Sequence, residues 1–93
     1  MTQDDRGERA AALLAESLDL YASVVGVCRA RPEDRAFLIG ILRIDVATFD
    51  GIAERWRRRM ERDPGIAATF EALARDYEWS FVELERGAVP VVE

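Results

Sequence analysis

Ninety-three residues, 49% of them hydrophobic and 33% charged, bound the chain to one small folded domain and exclude wholesale disorder. Thirteen basic against 18 acidic side chains leave a formal charge of -5, which offers nucleic acid no general electrostatic attraction. Histidine is absent and Cys28 is the lone cysteine, so the usual base near neutral pH, an intrachain disulfide and any multi-cysteine zinc site are excluded.

The opening MTQDDRGER is too polar for a signal peptide, and no run reaches the roughly 18 apolar residues of a membrane span. A cytoplasmic protein without a membrane contact is the expectation. From there the first predicted helix covers residues 5–30. At 100° per residue, Leu14, Leu18, Tyr21, Val25 and Cys28 fall in one stripe of it. Leu13, Leu20, Val24 and Val27 form a second row beside the first. That surplus suits a helix touching two neighbours, or one that also meets a second copy of the chain.

RARPED near residue 32 punctuates the chain, and Glu33 and Asp34 favour a new helix amino terminus. The second predicted helix covers 33–62, with Leu38, Leu42, Phe49, Ile52, Trp56 and Met60 in a 4-3 rhythm. A buried strand over IGILRIDV is the competing reading, and the rest of the chain offers it no strand partner. Asp45 falls in the middle of the apolar stripe, where a carboxylate must be paired, hydrogen-bonded or protonated. Hairpins that turn near residues 32 and 64 would bring Tyr21 about one turn from it and Tyr77 rather further. Asp45, Tyr21, Tyr77 and Cys28 therefore form either a structural polar network or the lining of a ligand pocket.

ERWRRRMER carries Arg55, Arg58, Arg59 and Arg62 on one side of the helix. Residues 55–62 sum to +4, whereas residues 63–93 sum to -5. The patch balances a helix carboxyl terminus, docks on an acidic edge of a protein, or meets a phosphate or nucleotide. Nucleic acid is not an expected partner, because no recognition motif accompanies the arginines.

Asp63 and Pro64 give a clear cap and first helical position for the third predicted helix, 65–86. Its stripe is Ile66, Phe70, Leu73, Tyr77, Phe81 and Leu84. Trp79 lies on the opposite side with Val82 at its margin, which reads as an interface with a partner or a second copy. Gly87 and Pro90 end the helix, leaving a short tail over 87–93. Glu71, Glu78 and Glu85 repeat every seven residues along one edge.

The expected fold is a single all-α domain over 1–93: an antiparallel three-helix bundle, or an extended helical hairpin completed in an oligomer. The expected function is a non-enzymatic protein-interaction or assembly module. It forms a homo-oligomer, a dimer in the simplest case, and meets a second protein. No cofactor is expected. The alternatives are a small enzyme or ligand-binding bundle centred on Asp45 and Tyr21, and a carboxylate-only metal site formed between subunits.

Overall fold

A computed structural model describes residues 5–87, and the side chains of residues 7–84 within that span. Among the described residues every regular element is helical. They are α1 (Asp5–Glu16), α2 (Leu18–Ala30), a 3-10 turn (Pro32–Asp34), α3 (Arg35–Ile41), α4 (Val46–Arg62) and α5 (Pro64–Gly87). The all-α expectation holds, but two of the three predicted helices are each divided.

The helix expected over 5–30 breaks at Ser17, and α1 and α2 meet at an angle of 104°. Ser17 has extended backbone angles and its side-chain oxygen accepts from the Leu20 N–H at 3.1 Å. It is an N-cap, with Asp19 adding a favourable negative charge in the first turn of α2. The apolar stripe runs across this cap without interruption, which is why periodicity alone reads one helix.

The helix expected over 33–62 breaks between Ile41 and Val46. Arg43 sits in the left-handed region at a φ of 67°, and its N–H closes a turn on the Gly40 carbonyl at 2.9 Å. Asp45 then starts α4 as its N-cap. IGILRIDV is therefore neither a continuous helix nor a strand. The third predicted helix corresponds to α5, where Asp63 Oδ1 accepts from the N–H groups of Gly65 and Ile66 at 3.0 and 3.3 Å. Gly87 is helical, and the remainder of the expected tail lies outside the described residues.

The two breaks fold the helices around a core of Leu14, Tyr21, Ala22, Ile39, Phe49, Ile52, Trp56, Phe70 and Ala74. Leu18, Val25, Leu42, Met60, Ile66 and Leu73 pack against it, half-buried. Tyr21 is its aromatic hub. Its ring centroid lies 5.4 Å from Phe70, 5.8 Å from Trp56 and 5.9 Å from Phe49, so one side chain of α2 joins α4 to α5. Gly26 and Ala74 let α2 and α5 approach closely: a Cβ built on Gly26 would lie 2.7 Å from the Ala74 carbonyl oxygen. No single helix among the described residues is long and apolar enough to cross a membrane.

Candidate functional site

The polar core expected around Asp45 does not form, because the break in the middle helix moves Asp45 from a stripe to a cap. Its side chain is exposed, and Oδ1 accepts from the Thr48 N–H at 2.7 Å. Those bonds to Thr48 hold the Asp45 carboxyl below the usual carboxylate range. Asp45 lines a shallow hollow with Gly7, Glu8, Arg43 and Thr48. Neither Tyr21 nor Cys28 reaches that hollow. Tyr77 also has another partner: its hydroxyl donates to Asp19 Oδ1 at 2.8 Å, and that bond raises its pKa.

Tyr21 and Cys28 do come together, in a groove between α2 and α4. One part of the groove, about 370 Å³, is lined by Tyr21, Val25, Cys28, Arg29, Arg35 and Phe49, among others. An adjoining part of about 470 Å³ shares Tyr21, Val25 and Arg29 and extends to Asp50, Glu54, Arg57 and Phe70. Aromatic and aliphatic side chains make its floor, and guanidiniums stand along its rim together with the carboxylates of Asp50 and Glu54.

Tyr21 is 5% exposed, and among the described residues its hydroxyl has no hydrogen-bond partner. Such a group is costly to bury without a partner. Burial raises its pKa, opposed by the charges of Arg29 and Arg35 and reinforced by Asp50. Cys28 is buried, and desolvation likewise pushes its thiol up, away from the thiolate form a nucleophile needs.

The rim arginines are held but not exhausted. Arg29 lies 5.8 Å from the Phe70 ring centroid and donates to both carboxylate oxygens of Glu71 at 3.1 and 3.2 Å. Arg35 lies 5.6 Å from the Phe49 ring and donates to Asp50 Oδ1 at 2.7 Å. A guanidinium carries five N–H donors, so each keeps donors for a further acceptor. Sequence reasoning missed Arg29 and Arg35. They stand on different helices and meet only because the 3-10 turn folds α3 back beside α2.

Half of the conspicuous arginine cluster, Arg58 and Arg59, is committed within α4. Arg58 donates to Glu54 at 3.1 Å, Arg57 pairs with Glu54 and with Glu61, and Arg59 lies 4.3 Å from the Trp56 ring. Arg55 lines a separate shallow groove against the alanines of α1, and Arg62 is exposed in the last turn. Of the expected interface residues, Trp79 is 63% exposed beside half-buried Val82, and Leu13 is 54% exposed. Leu20 and Val24 pack against the core, and Val27 is half-buried. Leu84, expected in the core stripe, is exposed.

Among the described residues, no group of three or more cysteine, aspartate and glutamate side chains is placed to hold a metal ion. Glu71 instead pairs with Arg29, and that bond lowers its pKa. The side chain of Glu85 lies outside the described residues.

No family model matches the chain. No solved structure matches it either. A stretch of 52 residues, 56% of the chain, is 40% identical to part of protein nucleotidyltransferase YdiU of Methylorubrum populi. The match covers 10% of that protein's length. Wherever such a stretch begins in a chain of 93 residues, it includes residues 42–52, and with them Phe49 and Asp50 on the α4 wall of the groove. This likeness overturns the expectation of a non-enzymatic assembly module, since it ties more than half of the chain to part of an enzyme.

Proposed function

We propose that this chain serves protein nucleotidyl transfer, as a helical unit related to a segment of a protein nucleotidyltransferase. The observation that carries the reading is the 40% identity over 52 residues. Transfer of a nucleotidyl group to a protein requires that a nucleoside phosphate, an acceptor side chain and the catalytic groups be held together. The chain spans about a tenth of the matched relative, so its share of that task is a part and not the whole. It carries neither a Walker motif nor a Gly-x-Gly-x-x-Gly loop. Phosphate is met here by arginine side chains, whose planar forks suit phosphoryl oxygens. The groove between α2 and α4 supports this reading because Phe49 and Asp50 of its α4 wall fall within the matched stretch.

The test is a segment exchange. The matched segment of the Methylorubrum populi enzyme is replaced by the corresponding residues of this chain, and transfer of an α-phosphate label from nucleoside triphosphate to protein is followed. The hybrid is expected to transfer label, and the enzyme with the segment deleted is not. A hybrid no better than the deletion overturns the proposal, as does a deletion that works as well as the parent.

A further inference from the structure

The groove between α2 and α4 has a polarity that its structural role does not require. Its floor is the aromatic hub of the core, which packing explains. The Tyr21 hydroxyl is different: it belongs to a side chain more than nine-tenths buried, lines the groove and has no partner among the described residues. Phenylalanine would fill the same space without burying a polar atom. That hydroxyl, with the charges of Arg29, Arg35 and Asp50 around it, keeps its proton available to an incoming acceptor.

We infer that the groove binds a phosphoryl group, with the Tyr21 hydroxyl and the guanidiniums of Arg29 and Arg35 as its donors. Arg29 and Arg35 line this part of the rim, each beside a carboxylate partner, Glu71 and Asp50, and Asp50 and Glu54 line the adjoining part, so an incoming anion competes with those carboxylates for the guanidiniums. Their ion pairs with Glu71 and Asp50 are solvent-exposed, at distances of 3.1 and 2.7 Å. Exposed pairs are individually weak, so an incoming phosphoryl group shares or displaces them at little cost. Those pairs also hold the guanidiniums over the Phe70 and Phe49 rings, which limits the side-chain entropy lost when a ligand arrives. Hydroxyl and guanidinium donors together can reach several oxygens of one phosphoryl group.

Two sources supply this chemistry, free phosphate and the phosphates of a nucleotide. Choosing a nucleotide rests on the proposed function, whereas the phosphoryl site rests on the geometry. Calorimetric titration of the whole chain with inorganic phosphate, a nucleoside diphosphate and the unphosphorylated nucleoside separates them. The diphosphate is expected to bind saturably and the nucleoside is not. Binding of free phosphate as tight as that of the diphosphate keeps the phosphoryl site and makes free phosphate its ligand. Tyr21→Phe keeps the ring packing and is expected to weaken binding about tenfold, the worth of one hydrogen bond to a charged group. Arg29→Gln with Arg35→Gln is expected to weaken it further, whereas Arg62→Gln, outside the groove, leaves it unchanged. Thermal unfolding of each variant verifies the fold. The inference is overturned by no saturable binding of either phosphate up to about 10 mM. It is equally overturned if binding survives the double change, or falls as much with Arg62→Gln.

Discussion

The Trp56 indole donates its N–H to the Leu14 carbonyl oxygen at 2.8 Å, joining α4 to α1 where α1 is about to stop. The last carbonyls of a helix lack partners within it. The break at Ser17 creates that need in the core, since Leu14 is fully buried, and Trp56 meets it from another helix. Trp56→Phe leaves the carbonyl unsatisfied and opens space beside Ile52, so a loss of about 2 to 3 kcal/mol is expected. Urea unfolding followed by far-UV circular dichroism measures it. A loss below about 0.5 kcal/mol, the level of ordinary surface changes, would show that the bond does not hold α1.

Gly26 and Gly51 should respond oppositely to alanine. At Gly26 the new Cβ meets the Ala74 carbonyl and the Tyr77 Cβ, each at 2.7 Å, with backbone on one side that cannot yield. Gly26→Ala is expected to destabilise by about 1 to 3 kcal/mol through overpacking. Gly51 has open space within 4 Å and is exposed inside α4. Gly51→Ala is expected to stabilise by about 0.5 to 1 kcal/mol through helix propensity. The two denaturation midpoints, moving apart, check the close approach of α2 and α5.

Arg43 holds a positive φ without being glycine, a conformation that disfavours side chains with a Cβ. Arg43→Gly removes that penalty and adds freedom to the unfolded chain. The net expectation is a gain of about 0.5 kcal/mol. A loss in thermal unfolding would mean that the Arg43 side chain contributes something its backbone does not reveal.

The cap at Asp45 gives a pH signature. Its carboxyl titrates below its unfolded value, so the stability it adds is fully present above the unfolded pKa and is lost as pH falls through the folded one. Asp45→Ala should therefore be less stable than the parent at neutral pH, and the gap should close in acid below the ordinary aspartate range. Asp45→Asn retains an acceptor for the Thr48 N–H and should lie between the two. Unfolding at neutral and acidic pH compares them.

The sequence carried clear signals for some of this architecture and muted ones for the rest. Asp63-Pro64 is legible because cap and proline act within adjacent residues, and Asp63 does cap α5. Ser17 and Asp45 are equally good caps, but each sits in an apolar rhythm that continues through it. The rhythm survives because both flanking helices face the same core. A polar cap-type residue within an apolar stripe is thus better read as a helix start than as a buried group. Arg43 gave no warning, since its left-handed turn lacks glycine or asparagine. Tyr21 and Cys28 were legible as neighbours on one stripe, but the sequence pointed them at Asp45 and not at the groove they line. Arg29 and Arg35 were not, because only the turn after α2 brings them together. The louder run from Arg55 to Arg62 drew attention, yet Glu54 and Glu61 pair with part of it.

The groove between α2 and α4 is the proposed working surface of the chain. Backbone amide NMR spectra recorded during titration with a nucleoside diphosphate test that role most directly, because they report location without any substitution. Saturable shifts concentrated at Tyr21, Val25, Arg29, Phe49 and Ala53 are expected. Shifts centred on Arg58, Arg59 and Arg62, or no saturable shifts at all, would contradict that role.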